Sequence, residues 1–351
     1  MTTNNRHHVL CAWMTTRAFA TISHLLVIKI WVFSLAFLQT GYTYAQVGGG
    51  LEGSVVALAI DPQTSTTLYA GTGGGVYKST DSGRQWMAMN TGLTDRNVEA
   101  IAIDPHTSTI LYAGTYGGVF KSTDGGGSWT AINTGLPANT HPYTLVIDPL
   151  ATTTLYMGSG DGVFKSSDGG KHWAAINAGL ADVKTTALVI HPTTPTSLYA
   201  GTLDHGVFQS ITGGKNWAAT NIGLTDLQIR ALAIVPQSPQ TLYVGTGGGI
   251  FTSTDAGKHW TACNTGFPTT VDVSALVIDP TNPQILYVGT DQGVFKSTNA
   301  GKQWSASNNG LADLTIEALV IDPKTPLTLY AGTSSGIMKS TNGGESWDSV
   351  K

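Results

Sequence analysis

Seven copies of one octapeptide, Ser-x-Asp-x-Gly-x-x-Trp or a near variant, run down the chain at residues 79–86, 122–129, 166–173, 210–217, 253–260, 297–304 and 340–347. The closing tryptophans (Trp86, Trp129, Trp173, Trp217, Trp260, Trp304 and Trp347) stand 43, 44, 44, 43, 44 and 43 residues apart. A period this even means one structural unit used seven times. Each unit holds four short runs rich in Val, Ile, Tyr, Phe and Trp; in the second they fall at 99–103, 109–113, 118–122 and 128–133. The first run ends in Ile-Asp-Pro in five units, where proline removes a ladder donor and the aspartate caps the turn. The 43 glycines recur at fixed phases between the runs, as turn residues do. A lone four-stranded sheet exposes both faces, whereas a ring of sheets covers each with its neighbour. The expected fold is therefore all-β, a seven-bladed β-propeller over 46–351 with four antiparallel strands per blade. A β-solenoid is the competitor, but its repeat is shorter and its turns need no tryptophan.

The octapeptide matches the Asp-box, or BNR repeat, and the resemblance covers residues 54–351. Similar repeats occur in secreted sialidases, xyloglucanases, sortilin-type receptors and photosystem II assembly factors; no single family is matched closely. In those families the box is the turn between the third and fourth strands of a blade. Elementary chemistry agrees with that role: a short aspartate accepts turn amides, glycine supplies positive φ and tryptophan packs into the sheet. Asp81, Asp124, Asp168 and Asp255 keep the carboxylate, while Thr212, Asn299 and Asn342 replace it with groups that still cap. Three absences in seven argue for a structural box and against a calcium array.

The first 45 residues stand outside the repeat. Arg6, His7, His8 and Arg17 precede an apolar stretch at 24–38, and Thr43-Tyr44-Ala45 supplies a small-residue exit. This order reads as a secretory signal peptide, 1–45, giving a secreted or periplasmic protein with no stable membrane span after cleavage. An uncleaved anchor is the alternative, although the run is short of the roughly 20 apolar residues a span needs and Lys29 interrupts it. Beyond residue 45 the chain keeps 15 of its 18 Lys and Arg against all 22 Asp and Glu, a formal charge of −7. Only three arginines remain, so nucleic acid is not an expected partner. Cys263 is the one cysteine left, so no internal disulfide is expected, and a body this large buries enough apolar surface without one.

Strand phasing sorts the turns onto two faces. Ile-Asp-Pro turns and octapeptides share one and barely vary. The other carries the hairpins between second and third strands and the links between blades, and there the units disagree. Divergence among repeats marks positions free for recognition. It gathers Glu99, Tyr116, His141, Tyr143, Asp161, Asp204, His205, Arg230, Asp291 and Glu317 around one mouth of the central channel. A concave entrance built from several elements is a favoured binding site, although polar loop residues need no purpose. The expected role is a non-catalytic, monomeric scaffold that takes a protein client or a glycan at this mouth. Resemblance to xyloglucanases and sialidases implies the alternative, a glycoside hydrolase using a carboxylate pair there. Arg84, Arg96 and Arg230 fall in unrelated places, which speaks against a sialidase arginine triad. The six histidines beyond residue 45 lie in different units without metal-ligand spacing, so neither a metal nor any other cofactor is expected.

Overall fold

Hydrophobic runs of five or six residues, each closed by a turn signal, pair with their sequence neighbours into seven sheets. The computed structural model describes residues 51–350 except 181–183 and 269; the expected signal peptide lies outside them. Every sheet has four antiparallel strands in sequence order, and no strand is borrowed from another repeat. The chain is a seven-bladed β-propeller. Its described residues contain no helix, and hence none long and apolar enough to cross a membrane.

In the second blade the strands are Val98–Ile103, Leu111–Thr115, Gly118–Ser122 and Thr130–Ala131. Three differ from the sequence expectation, the first only by starting one residue earlier. The second strand starts two residues later, because Thr109 and Ile110 close turns: the Thr109 carbonyl accepts from Gly125 N, and Ile110 N donates to Thr107. The outer strand shrinks to two residues because both its ends bond elsewhere. Trp129 N donates to Thr91 in the link between the first and second blades, and the Asn133 side chain takes the place of backbone, accepting from Val119 N at 2.7 Å. An asparagine at this position does the same from the first blade to the sixth. Gly118, at φ 110°, faces it so closely that a Cβ would lie 2.5 Å from Asn133 Oδ1. That contact and the left-handed backbone both demand glycine.

Seven apolar clusters fill the spaces between blades. A typical one joins Tyr69 and Val76 of the first blade to Leu111, Phe120 and Trp129 of the second. The Leu-Tyr-x-Gly-Thr strand is buried along its whole length. Its glycine admits the next inner strand: a Cβ on Gly71 would meet Val98 at 2.7 Å, and one on Gly332 would meet the Val55 carbonyl at 2.5 Å. The latter contact closes the ring, with Ala318, Tyr330 and Ile337 of the seventh blade packed against Val55 and Leu51.

The octapeptides form the turns between third and outer strands. Ser79 Oγ accepts from Gly83 N, and Asp81 Oδ1 accepts from Gln85 N, both at 2.9 Å. Thr212, Asn299 and Asn342 accept the equivalent bond from Asn216, Gln303 and Ser346. Six tryptophans are at least 94% buried, and each donates its indole N–H to the preceding blade. Trp86 differs: it is half-buried and its Nε1 has no partner among the described residues.

Candidate functional site: the channel mouth

Each inner strand opens with a β-bulge. The register slips between Val98 and Ala100, leaving Glu99 as the extra residue, and the same slip singles out Val56, Tyr143, Thr186, Arg230, Ser274 and Glu317. A bulge re-aims the side chain at its extra residue. Here all seven line the central channel, a cavity of about 290 Å³ walled by three residues from every inner strand.

Two of the seven are committed to the scaffold. Thr186 Oγ1 donates to the Ile229 carbonyl of the next blade at 2.5 Å, and Ser274 Oγ donates likewise to Ile316. Glu99, Tyr143, Arg230 and Glu317 are the ionisable members of the seven. Glu317 and Glu99, both half-buried, belong to the seventh and second blades, with Val56 of the first between them.

Beside Glu99 an aromatic group has formed. The rings of Tyr116 and His141 are 4.1 Å apart in a T-shaped contact, and those of His141 and Tyr143 are 4.6 Å apart. Burial pushes the Tyr116 phenol up to about 12, helped by the Glu99 carboxylate to which it hydrogen-bonds. Burial also raises Tyr143, with Glu99 and Asp161 adding negative potential. His141 is held below the ordinary imidazole value by burial, so its ring is neutral at pH 7, and its Nε2 is buried with no hydrogen-bond partner among the described residues.

Across the channel Arg230 pairs with Asp272 at 2.5 Å. Burial raises the Asp272 carboxyl while the guanidinium opposes that rise. Asp291 Oδ1 accepts from Asp272 N at 3.0 Å and so joins this group. Asp161 is exposed at the hairpin tip of the third blade, close enough to Tyr143 to act on its phenol, whereas Asp204 and His205 are exposed at the hairpin tip of the fourth. The expected residues thus fall into an acidic-aromatic arc, an ion-paired arc and a scattered remainder.

Asp272 is absent from the sequence-derived set. It occupies the position just before each inner strand, which reads Ser54, Asn97, His141, Lys184, Gln228, Asp272 and Thr315. That column diverges as much as the bulge column, and reading it whole would have added Asp272 beside His141.

Topology also reveals how charge is distributed. Among the described residues the hairpin face carries ten carboxylates (Glu52, Asp95, Glu99, Asp161, Asp204, Asp226, Asp272, Asp291, Asp313, Glu317) against Arg96, Lys184 and Arg230. The octapeptide face carries eleven carboxylates against eleven lysines and arginines. Five of those lysines are spent on the scaffold: each lies over a tyrosine ring of its own blade and donates to a carbonyl in the next octapeptide. The net negative charge of the described residues therefore sits on the hairpin face. No group of three or more His, Cys, Asp or Glu among the described residues is arranged to hold a metal ion.

No protein-family model matches the sequence, and neither does any curated protein. Solved structures do match in fold. The GH74 xyloglucanase of Xanthomonas campestris aligns over 86% of this chain and 54% of its own, with a TM-score of 0.74 and 21% identity. The GH74 enzyme of Niastella koreensis aligns over the same shares at 0.70 and 21%. YCF48 bound to a D1 peptide aligns over 84% of this chain and 95% of its own, at 0.64 and 15%. The chain spans about half the length of the GH74 enzymes it matches. At these identities the likeness is one of fold.

Proposed function

We propose that this propeller is an exported, non-catalytic docking module that takes a basic segment of a protein client on its hairpin face. The observation that carries the reading is the segregation of charge. Ten carboxylates against three cations create a potential that attracts and orients a Lys- or Arg-rich partner, and the balanced opposite face does not compete. Glu99, Glu317 and Tyr143 at the channel wall offer a cationic side chain carboxylates and an aromatic ring. Arg230, already paired with Asp272, leaves that potential largely intact. A propeller of similar extent, YCF48, has been seen with a peptide bound, which fits this mode of action.

The test is a titration of the full chain with labelled basic and acidic peptides of equal length. Basic peptides should bind, and binding should fall at least tenfold between low and physiological salt. Glu99→Gln/Glu317→Gln should weaken it about tenfold with an unchanged melting temperature. Substitution of Lys171, His172 and Lys258 on the far face should leave it unaltered. Equal binding of acidic peptides, or sensitivity only to the far-face changes, refutes the reading.

The likeness to GH74 enzymes supports a second reading, hydrolysis of a glycan by Glu99 and Glu317. Hairpin loops of two or three residues raise little cleft wall around them, and Glu99 is engaged by Tyr116. Reducing ends released from xyloglucan by the native chain, and lost in the Glu99→Gln/Glu317→Gln variant, would favour it over docking.

A further inference from the structure

At the outer rim on the octapeptide side lies a cavity of about 360 Å³ between the sixth and seventh blades. Its lining includes one small side chain that stands out against the other blades. Three residues past each tryptophan, the outer strand packs a side chain onto the glycine of the next octapeptide: Ile132 onto Gly170, Ile176 onto Gly214, Met89 near Gly126, Thr220 onto Gly257, Cys263 onto Gly301 and Val350 onto Gly83. In the sixth blade that residue is Ser307, facing Gly344. The Ser307 hydroxyl donates to the Gly344 carbonyl, as Thr220 does to Gly257 in the fourth blade, so what sets this notch apart is the smaller side chain and not a free hydroxyl.

Its lining is left with unused hydrogen-bonding groups. In four other octapeptides the capping side chain closes on the residue four positions later: Asp124 with Ser128 at 2.7 Å, Asp168 with His172 at 2.6 Å, Asp255 with His259 at 2.7 Å and Asn342 with Ser346 at 2.9 Å. Asn299 and Gln303 do not close in this way. Asn299 Oδ1 accepts from Ser297 Oγ and Gln303 N, while its Nδ2 and the whole Gln303 side-chain amide have no partner among the described residues. Lys296 is committed to the Gly343 carbonyl at 2.7 Å and to the Tyr287 ring. Glu345 adds an exposed carboxylate at the opposite edge.

We propose that this notch binds a neutral oligosaccharide by its hydroxyl-bearing edge. The Asn299 Nδ2 donor and the donor and acceptor of the Gln303 amide stand side by side, as vicinal sugar hydroxyls require, and the Glu345 carboxylate extends the pattern. The volume is at the lower end of the roughly 300–1,000 Å³ of small-molecule sites, enough for about one or two sugar rings. No lining residue is aromatic, so the sugar is held by hydrogen bonds alone and binds weakly. This site is independent of the channel mouth and does not rest on the docking reading.

Saturation-transfer NMR on the full chain with cellotriose, maltotriose and xylotriose at millimolar concentration tests it. At least one trisaccharide should show transfer. Ser307→Ile, which imports the residue of the second and third blades, should reduce the signal at least tenfold, while Glu99→Gln/Glu317→Gln leaves it unchanged. Should Ser307→Ile fail to fold, Asn299→Asp/Gln303→Ser rebuilds the closed pair of the second blade and should have the same effect. No transfer from any of the three sugars, transfer that survives the notch variants, or transfer lost in the mouth variant would each overturn the assignment.

Discussion

At the scale of single residues, small departures from the repeat decide energetics. Thr185 begins the fourth inner strand, where Val55, Val98, Val273, Ile229 and Ile316 stand in other blades. It is fully buried and its Oγ1 has no hydrogen-bond partner among the described residues. A buried hydroxyl without a partner costs its desolvation, so Thr185→Val, which keeps the shape, should stabilise the fold by about 1 kcal/mol. Chemical denaturation would detect it; a loss of stability would mean that the hydroxyl finds a partner in solution. The tryptophans make a second contrast. Trp129 is 4% exposed and donates to the Met89 carbonyl at 2.7 Å, so Trp129→Ala should cost roughly 3–5 kcal/mol. Half-buried Trp86 lacks the corresponding bond, and Trp86→Ala should cost less by at least about 1 kcal/mol. Equal losses would show that the indole hydrogen bond contributes nothing.

At the scale of elements, the octapeptide turn carries a pH signature. Hydrogen bonds from the Ser128 hydroxyl and amide, and from Ser122, lower the Asp124 carboxyl to about 2. A depressed folded-state value means that this contribution is complete above the ordinary carboxylate range near 4 and is lost as pH falls through about 2. Asn342, bonded to Ser346 in the seventh blade, shows that an amide supports the same turn. Asp124→Asn should therefore fold normally at pH 7 and flatten the fall in melting temperature between pH 4 and 2. An unchanged acid limb would show that the turn is not what titrates. The turn itself was legible in the sequence, since Ser, Asp, Gly and Trp each have one local task there. Less legible was the contraction of the outer strand to two residues, because Asn133 substitutes a side-chain oxygen for backbone and leaves the apolar pattern unbroken. The bulge was invisible too: one extra residue at a strand start does not disturb a period that already alternates between 43 and 44.

At the scale of the whole molecule, sequence reading succeeded where repetition did the work and faltered where two blades meet. Seven sheets, their order and the sorting of turns onto two faces all follow from one unit repeated. The Arg230–Asp272 pair, the Tyr116–His141–Tyr143 group and the notch at Ser307 each arise from residues of adjacent blades, whose apposition no single repeat encodes. The joint between the seventh and first blades is the extreme case. Each sheet is continuous in sequence, so no shared strand holds this joint. It keeps side-chain ties on the octapeptide face: Ser65 donates to Asp322 at 2.7 Å, Lys324 to the Gln63 carbonyl at 2.6 Å, and Tyr330 and Lys339 to the Ser82 carbonyl. Leu51 packs there as Leu93 does at the next joint. What it lacks among the described residues is the indole bond that every other joint possesses, with Trp86 Nε1 left without a partner there. A ring whose blades touch only their neighbours opens at its weakest contact, because breaking one joint removes no contact elsewhere. Hydrogen exchange of the intact chain should thus find the strands Leu68–Thr72 and Leu329–Thr333 exchanging before Leu198–Thr202, their counterpart across the ring. Uniform protection of the three would mean that the side-chain ties on the octapeptide face make good the missing indole bond, and that the propeller has no preferred point of opening.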